Sequence, residues 1–399
     1  MPDVSSPSGR PADDRCPGAL RAHQAADGAL VRVRIPGGRL APAQLRCLAT
    51  ATRHDGDGTL ELTSRGNVQV RGITDPDGVD RIADALAGVG LLPSATHERV
   101  RNIVASPLSG LDAAGRADVR PLVDAVDAAL CAAADLAGLS GRFLIAIDDG
   151  RGDVTGLGAD LCWTAGTGAL LLDGTDVGLR VTTDVPGALV AAARVFHRLC
   201  AGRTGLWRIA DLPDAPSAIT AALGGPHATP VPPPHCAPPP VGVHPAGLAV
   251  VAVPLGRLTA DQADTVAAVA DDATLVVTPW RTVVVPSAAP TSVRTLVAAG
   301  LVVDPASPWV GVTSCTGRPG CEKALADVRA DATAALAAAG PRDPAALPLH
   351  WAGCDRCCGR PAGPAALAVA TGSGYRVAGP MGEHHGPIGV RLAQARRPQ

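Results

Sequence analysis

The feature that most constrains this chain is an internal duplication. The segment IPGGRLAPAQL, which starts at Ile35, is repeated as VPLGRLTADQA from Val253, and TLELTSRGNVQV from Thr59 is repeated as TLVVTPWRTVVV from Thr274. The tetrapeptide ADVR also occurs twice, each time inside an alanine-rich stretch. The three pairs occur in the same order and are separated by 218, 215 and 209 residues. We therefore predict that the 399-residue chain consists of two copies of one unit.

Each copy is predicted to open with a strand, a helix and a second strand. In the first copy, the alternating pattern LVRVRI predicts a strand over residues 30–35, residues 36–38 predict a turn, and a helix should begin near Ala41. The second strand is predicted over residues 59–70. A further helix and a longer mixed segment follow, so the predicted class is α+β. Between the copies, the proline-rich residues 224–247 predict an extended, semi-rigid connector.

Composition narrows the possible partners. Hydrophobic residues make up 47% of the chain, charged residues make up 18%, and the formal charge is −2. This balance gives no global attraction for nucleic acid or an anionic membrane. Lys323 is the one lysine among 35 basic residues, so anion binding would depend on arginine guanidinium groups. With no apolar run of roughly 18 residues and no export signal at the start, we expect a cytoplasmic protein without membrane partners.

Four cysteines near the end of the chain lie in two short loops. VTSCTGRPGCEKA places Cys315 and Cys321 in C-x5-C spacing, and HWAGCDRCCGRP places Cys354 and Cys358 in C-x3-C spacing. Cys357 forms an equally good C-x-x-C pair with Cys354, so spacing alone does not choose between Cys357 and Cys358. Glycine and proline neighbours let a loop fold tightly round an inorganic centre. We interpret the loops as a metal site, with iron–sulfur favoured over zinc because C-x5-C is wider than usual zinc-ligand spacings.

Arginines line one face of the two predicted strands. Arg32 and Arg34 are two residues apart, so strand alternation places both on one face. The polar positions of the second strand also share one face and are Arg65, Asn67, Gln69 and Arg71. We found no acidic residue in either set, which favours an anion-binding surface over an ordinary solvated face. The first copy has kept these donors and the second copy has kept the cysteines, which is the asymmetry that a single active site in a duplicated fold would produce.

Together these motifs resemble the siroheme sulfite and nitrite reductase superfamily. The resemblance rests on the C-x5-C loop followed by H-x-x-G-C-x-x-x-C-G and on the R-x-R-x-P-G-G and L-T-S-R-x-N-x-Q strands, and it covers nearly the whole chain. It implies a pseudo-symmetric α+β duplication that holds a tetrapyrrole and its reacting anion between the halves. It also implies that the ligands of a [4Fe–4S] cluster, among which Cys358 is favoured over Cys357, are Cys315, Cys321, Cys354 and Cys358.

The resemblance implies two ferredoxin-like half-domains and two α+β domains. We predict the half-domains at residues 15–75 and 248–305. The predicted α+β domain without a cluster spans residues 95–223, the connector spans residues 224–247, and the cluster domain spans residues 306–399.

The resemblance extends to further basic positions. Arg101 and Asn102 match an Arg/Asn segment that helps to bind anion and macrocycle in the reductases. Arg142 matches one cation of a Lys-x-Lys pair that holds sulfite or nitrite, whereas the second position is occupied by Leu144. Because delivery of six electrons to a small anion needs dense positive charge, this loss argues against sulfite or nitrite as the substrate.

Within the superfamily, the motif set is most similar to the precorrin-3B synthase branch, which acts on a tetrapyrrole as substrate. This implies an oxygen-dependent monooxygenase of aerobic cobalamin biosynthesis that hydroxylates precorrin-3A and closes a γ-lactone, with the cluster and, in the family picture, a mononuclear non-heme iron. No G-x-G-x-x-G opens a helix, so a separate ferredoxin or NAD(P)H-linked reductase is expected to supply the electrons. We assign no catalytic residue. The groups expected to bind the substrate carboxylates are Arg32, Arg34, Arg65, Asn67, Arg71, Arg101, Asn102 and Arg142.

Two other readings remain open at this point. A siroheme-dependent sulfite or nitrite reductase would share the cysteines and the fold. An iron–sulfur electron carrier or a structural zinc protein would explain the cysteines but not the duplicated arginine strands.

Overall fold

Four five-stranded sheets and nine α-helices are formed by residues 14–286 and 288–397, which are the residues that the computed structural model describes. The described chain divides into two compact units. The first unit comprises residues 14–21, 33–37 and 92–238. The second unit comprises residues 22–32, 38–91 and the described residues from 239 onward.

The first copy contributes ten strands and five helices. Its opening segment consists of β1 (His23–Ala25), β2 (Gly28–Val33), β3 (Arg39–Leu40), α1 (Pro42–Asp55), β4 (Thr59–Leu62), β5 (Val68–Ile73) and α2 (Gly78–Gly88). The mixed segment that follows consists of β6 (Ile103–Ala105), α3 (Arg120–Ala132), β7 (Ile145–Asp148), β8 (Leu161–Thr164), β9 (Ala169–Leu172), β10 (Thr175–Arg180), α4 (Val185–Leu199) and α5 (Ala215–Ala222).

The second copy repeats this order, apart from an equivalent of α5. Its opening segment consists of β11 (Gly242–Val243), β12 (Ala249–Ala252), β13 (Arg257–Thr259), α6 (Ala260–Ala270), β14 (Leu275–Val277), β15 (Thr282–Val285) and α7 (Pro290–Ala298). Its mixed segment consists of β16 (Val312–Ser314), α8 (Val328–Ala337), β17 (Leu349–Ala352), β18 (Ala366–Thr371), β19 (Gly374–Gly379), β20 (Gly382–His384) and α9 (Ile388–Ala395).

The two opening segments exchange one strand with each other. Sheet A has the strand order β1-β2-β5-β4-β13, and sheet B has the matching order β11-β12-β15-β14-β3. The short strand of each repeated GRL motif therefore completes the sheet of the other copy: Leu258 pairs with Leu60, and Leu40 pairs with Leu275. Each exchanged strand leads directly into a helix, α1 or α6.

Gly38 permits the close approach that this exchange requires. Its φ is +71°, in the left-handed region, and a Cβ at this position would lie 1.9 Å from the carbonyl oxygen of Val277 in β14. A side chain would therefore collide with the backbone of the partner strand. The second glycine of the P-G-G turn is thus explained by strand pairing between the copies.

The two mixed segments form sheets of identical topology. Sheet C contains β6-β7-β8-β9-β10, and sheet D contains β16-β17-β18-β19-β20, with two parallel pairings followed by two antiparallel pairings in each. Parallel sheets bury both faces, and every residue of β7 and β9 is buried. In the first unit, α3 and α4 contribute Leu130 and Phe196 to the core over sheet C. The predicted duplication is therefore present in strand order and pairing as well as in sequence.

Two predicted strand boundaries were wrong. The strand expected over residues 30–35 is β2, which ends at Val33, so Arg34 lies beyond it. The single strand expected over residues 59–70 is a hairpin of β4 and β5, with Arg65 in its turn. The turn forms because Thr63 and Asn67 pair through their backbones and the Asn67 N–H donates to the Thr63 hydroxyl at 3.0 Å. By contrast, the turn at Pro36–Gly38 and the start of α1 at Pro42, with Ala41 as its cap, agree with the expectations.

The proline-rich connector lies along the first unit. The Cys236 N–H donates to the carbonyl oxygen of Gly152 at 2.9 Å, and the Thr155 hydroxyl donates to that of Pro234 at 2.6 Å. A Cβ on Gly152 would lie 2.7 Å from the Pro234 backbone. The predicted free connector over residues 224–247 is therefore held by hydrogen bonds for part of its length, because proline-rich chain leaves its carbonyl groups available as acceptors.

Candidate functional site

The two cysteine loops begin at the same edge of sheet D. Strands β16 and β17 are parallel neighbours, with Ser314 paired to Trp351. Cys315 directly follows β16, and Cys354 comes two residues after the end of β17. Because the carboxyl ends of parallel strands meet at one edge of a sheet, the fold brings together two motifs that are far apart in sequence.

Backbone hydrogen bonds join the two loops. The Gly353 N–H donates to the Cys315 sulfur at 3.1 Å, and the Leu325 N–H donates to the Gly353 carbonyl oxygen at 2.8 Å. A Cβ on Gly353 would lie 2.7 Å from the Cβ of Ala324, so only glycine fits this contact. Burial raises the pKa of the Cys315 thiol, the N–H groups of Gly353 and Gly317 lower it, and the charges of Cys358 and Cys321 raise it further. The thiols of both loops thus share one electrostatic environment.

Cys358 is more closely coupled to the other thiols than Cys357 is. Burial raises the pKa of both thiols. The charges of Cys354 and Cys321 both raise the pKa of Cys358, whereas among the cysteines the charge of Cys354 raises the pKa of Cys357. Cys357 also has a left-handed backbone with φ of 44°, and its N–H donates to the Cys354 carbonyl oxygen. The charges of Cys321 and Cys354 thus both act on Cys358, and the choice of Cys358 over Cys357 as a cluster ligand stays a prediction.

Two buried basic side chains, His350 and Arg281, contact the backbone of the second cysteine loop. The His350 ring is fully buried, with Nδ1 2.9 Å from the Thr313 hydroxyl and Nε2 3.1 Å from the Cys358 carbonyl oxygen. Burial, reinforced by the charge of Arg281, lowers the pKa of His350 to about 3, so the ring is neutral. The Arg281 guanidinium donates to the Gly359 carbonyl oxygen at 2.6 Å. Burial lowers the pKa of Arg281 to about 10, which still leaves it protonated at neutral pH.

The arginine face of sheet A contains carboxylates, contrary to the expectation of an acid-free surface. Arg32 donates from Nε to the Gln69 amide oxygen at 2.8 Å, and the Gln69 amide nitrogen donates to Glu61 at 3.1 Å. Glu61 is also paired with Arg329 of α8 and lies opposite Arg257 in the antiparallel register. The prediction missed Glu61 because this residue lies on β4, before the hairpin turn. Strand alternation nevertheless places it on the same face as the polar positions of the second predicted strand.

Arg71 connects this face to the first cysteine loop. Its guanidinium makes two hydrogen bonds to Asp27, at 2.9 and 3.1 Å, and one to the Gly320 carbonyl oxygen at 3.1 Å. Gly320 immediately precedes Cys321, and a Cβ on it would lie 2.6 Å from the Asp27 carboxylate. Within the second unit, therefore, Arg71 joins the arginine face to the predicted cluster loop through its bond to Gly320 and its 3.8 Å ion pair with Glu61.

The remaining predicted donors belong to the first unit. Arg34 donates to the carbonyl oxygens of Gly141 and Arg99 at 3.0 and 3.2 Å. These partners belong to the first unit, although strand alternation predicted one shared face for Arg34 and Arg32. Arg101 makes two 2.7 Å hydrogen bonds to Asp127. The Asn102 amide donates to the Phe143 carbonyl oxygen at 3.1 Å. Arg142 lies 4.2 Å from the ring centroid of Trp207 and 3.4 Å from Asp14.

Within the described residues, no group of three or more His, Cys, Asp and Glu side chains is arranged, as the side chains stand, to hold a metal ion. The four cysteines lie on two joined loops and their charges act on one another, but their side chains do not form a complete set of metal ligands. No residues are assigned to the mononuclear iron that the resemblance implies.

Comparison with known proteins decides the family. Residues 22–89 and 247–300 match the family described as the nitrite/sulfite reductase ferredoxin-like half domain. A ferredoxin–nitrite reductase of Synechococcus elongatus is 30% identical to the chain, over 83% of the chain and 74% of that enzyme. The chain belongs to the nitrite/sulfite reductase family. The matched ranges include α2 (Gly78–Gly88), which lies beyond the end predicted for the first half-domain at residue 75.

Further relatives of this nitrite/sulfite reductase family chain include a precorrin-3B synthase of Sinorhizobium sp, which is 26% identical over 90% of the chain and 81% of that enzyme. The structure of Mycobacterium tuberculosis NirA superposes with a TM-score of 0.70 at 23% identity, over 88% of the chain and 74% of NirA. The superfamily resemblance and the duplicated α+β fold are thereby confirmed, and the chain is an oxidoreductase-type enzyme. Among its described residues, no helix is both long and apolar enough to cross a membrane.

In the first copy, a serine and nearby aspartates lie at the strand ends where the second copy carries its cysteine loops. Ser106 directly follows β6, as Cys315 follows β16, and Asp148 ends β7. Asp148 accepts the N–H groups of Gly150 and Gly152 at 2.8 and 2.9 Å, and the Ser106 hydroxyl donates to Asp153 at 2.7 Å. Where one copy of this family fold has its first cysteine, the other copy therefore has a buried network of a serine and carboxylates.

Asp153 makes the stability of the first unit depend on pH. Burial raises the pKa of this carboxyl from 3.8 to about 7; Ser106 lowers it and the charge of Asp148 raises it. The folded state therefore holds the proton more tightly than the unfolded state, and the free energy of unfolding falls as the pH rises from about 4 to about 7. A shift of about three units corresponds to about 4 kcal/mol as an upper limit. Asp153→Asn should remove this part of the decline.

Chemical denaturation of the wild type and Asp153→Asn across this pH range measures the effect. The gain from the substitution should grow with pH up to about 7 and then level off. Asp135→Asn is the control: Arg194 holds the pKa of the Asp135 carboxyl below its usual value, so the effect of this change should not vary over the same range. A pH-independent effect of Asp153→Asn would contradict the prediction.

Proposed function

We propose that the enzyme is an oxygen-dependent monooxygenase of the precorrin-3B synthase type, which hydroxylates precorrin-3A with formation of a γ-lactone in aerobic cobalamin biosynthesis. The observation that carries the proposal is the environment of the second cation position. Leu144 occupies it and is only 2% exposed, with its side chain in the core and its N–H bonded to Asp160 at 2.8 Å. Arg142 remains as the single cation, stacked on Trp207. A tight pair of cations for a small inorganic anion is therefore missing from this position.

The likeness to the precorrin-3B synthase of Sinorhizobium supports this proposal, because it spans 90% of the chain and 81% of that enzyme. The substrate class also fits the arginine-rich composition. A uroporphyrinoid carries many acetate and propionate groups, and guanidinium groups bind carboxylates in a bidentate manner. In this proposal the carboxylates are bound by the predicted donors, which are Arg32, Arg34, Arg65, Asn67, Arg71, Arg101, Asn102 and Arg142.

The cysteine loops fit a [4Fe–4S] cluster held by Cys315, Cys321, Cys354 and Cys358. Four thiols lie on two loops at one sheet edge, and Gly353 offers an N–H group to a sulfur. Glycine at 317 and 353 lets the loops pack closely, because a Cβ at either position would lie 2.7 Å from Val328 or Ala324. Such a cluster supplies one-electron transfer when bound. His350 and Thr313 hold the Cys358 loop in place, and Gly353 stabilises the thiolate of Cys315.

The net reaction adds one oxygen atom of dioxygen to the substrate and reduces the other to water, which consumes two electrons and two protons. A separate donor supplies the electrons, either a ferredoxin or an NAD(P)H-linked reductase, since the chain has no dinucleotide-binding motif. The ferredoxin–nitrite reductase relatives support the first of these donors. We place the enzyme in the cytoplasm, where reduced thiols persist.

A siroheme-dependent sulfite or nitrite reductase is the second candidate. It is favoured by the 30% identity to the Synechococcus nitrite reductase, which exceeds the 26% identity to the precorrin-3B synthase. The two candidates differ in whether the tetrapyrrole is a resident cofactor or a substrate.

The optical spectrum of anaerobically purified protein separates these candidates. We expect a broad iron–sulfur absorption without macrocycle bands and, with precorrin-3A, a reductant and isotopically labelled dioxygen, the incorporation of one labelled oxygen atom into the product. Intense Soret-like bands with nitrite- or sulfite-dependent oxidation of a reduced donor would establish the second candidate and overturn the first. A colourless protein that contains zinc would contradict both.

A further inference from the structure

Arg281 is a buried cation with no carboxylate partner in contact. The residue is 7% exposed, and among the residues that the structure describes no carboxylate oxygen lies within 4 Å of its guanidinium. Its side chain donates to the neutral carbonyl group of Gly359. The buried Arg71 and Arg101, by comparison, each make two hydrogen bonds to an aspartate. The charge of Glu61 acts on Arg281 from beyond 4 Å, but Glu61 is already paired with Arg329. A buried guanidinium without an opposite charge in contact therefore favours an additional anion beside it.

A hydrogen bond joins Arg281 to the second cysteine loop. Gly359, the acceptor of its hydrogen bond, immediately follows Cys358. The approach is close on both sides, because a Cβ on Gly359 would lie 3.1 Å from the guanidinium and a Cβ on Gly256 would lie 2.4 Å from the Arg281 side chain. Arg281 itself lies in the turn between β14 and β15 and has a left-handed backbone with φ of 59°. The guanidinium is thus packed in place beside the loop.

We propose that Arg281 is the counter-cation of the iron–sulfur cluster and raises its reduction potential. The inference rests on the proposed function, since it requires a cluster on the four cysteines. A positive charge in a medium of low dielectric stabilises the more negative, reduced form of the cluster more than the oxidised form. Arg281 is in this sense a positioning and electrostatic residue, which acts on the cluster without being one of its ligands.

A purely structural role would depend on the hydrogen bond to Gly359 and not on the charge. Arg281→Gln keeps an N–H donor and removes the charge, whereas Arg281→Lys keeps the charge and loses the planar shape. Arg281→Met removes both. Charge compensation therefore predicts that the Gln and Met variants behave alike, and that the Lys variant stays close to the wild type.

Arg396 provides a matched control. It too has a pKa lowered to about 10 by burial, and it donates to the carbonyl oxygens of Leu347 and Val310. These carbonyl groups lie at the amino ends of β17 and β16, whereas the cysteines follow the carboxyl ends of the same strands. Arg396→Gln removes an equivalent charge from the opposite end of sheet D.

The test is a potentiometric titration of the anaerobic holoenzyme, followed by electron paramagnetic resonance. At a fixed solution potential, Arg281→Gln should lower the ratio of reduced to oxidised cluster at least tenfold, a shift of about 59 mV for one electron, while Arg281→Lys and Arg396→Gln stay near the wild type.

A wild-type potential in a cluster-bearing Gln or Met variant would overturn the inference. Loss of the cluster from both uncharged variants, with retention in the Lys variant, would support compensation. Absence of an iron–sulfur signal from the wild type would instead reject the proposed function itself.

Discussion

Cys358→Ser should lose most of the iron and acid-labile sulfide of the purified enzyme, and Cys357→Ser should keep nearly all of both. A serine hydroxyl is a poor replacement for the thiolate that iron–sulfur clusters require. The two cysteines are adjacent in sequence, but the charges of Cys354 and Cys321 both raise the pKa of Cys358, whereas among the cysteines the charge of Cys354 raises the pKa of Cys357. Cys357 also differs from Cys358 in its left-handed backbone conformation, with φ of 44°.

Iron and sulfide analysis after anaerobic purification measures this difference, with the visible spectrum as a second readout. Cys200→Ser is the matched control, because Cys200 belongs to the first unit, at the end of α4, whereas both loops belong to the second unit. The assignment would be reversed if Cys357→Ser were depleted and Cys358→Ser were not. Equal retention in both variants would indicate that either thiol can complete the site.

Single arginine substitutions should weaken binding of the tetrapyrrole substrate by about ten- to a hundredfold each. A charge-assisted hydrogen bond in a shielded site contributes about 1.5 to 3 kcal/mol, and each 1.4 kcal/mol is a factor of ten. Arg65→Ala tests the turn of the β4–β5 hairpin, where the side chain is half-buried. Arg101→Ala tests a buried guanidinium held by Asp127. Lysine at either position should restore only part of the affinity, since it lacks the planar fork.

Titration of a precorrin-3 or uroporphyrinoid ligand against each variant gives the affinity, and the cluster content of each sample shows whether the fold is intact. Thr282→Ala serves as the control, because Thr282 is the counterpart of Asn67 in the second copy and is occupied by a hydrogen bond with Thr278 at 2.7 Å. Wild-type affinity in both arginine variants, with their clusters intact, would remove these donors from the binding site.

The duplicated architecture could be predicted from the sequence because both repeats keep the residues that form their turns. The GRL motifs and the turn at Pro36–Gly38 recur in both copies, and they mark the same strand-to-helix transition in each. The sequence did not predict the strand exchange, since β3 and β13 are only two and three residues long and local periodicity carries no information about which chain segment they pair with.

The candidate site was predictable to the extent that it depends on local spacing. The cysteine loops fall at adjacent strand ends, but which arginines act together is a tertiary property. Arg34 was grouped with Arg32 because they are two residues apart, yet β2 ends between them at Val33. Asp27 neutralises Arg71 from a distant turn, and nothing in the local sequence distinguishes Arg281 from an ordinary turn arginine.

The exchange of β3 and β13 bears on how such a chain could have arisen. A single copy would leave β4 with an open edge and its own GRL strand without a sheet, and two such chains would complete each other as an isologous pair in which each supplies the same strand to the other. Joining the copies in one polypeptide fixes their stoichiometry at one to one. It also frees each from remaining identical, so that thiols could persist at one strand end while carboxylates replaced them at the other. Expression of either copy alone should accordingly yield an associating fragment with unpaired strand edges and not half of an enzyme.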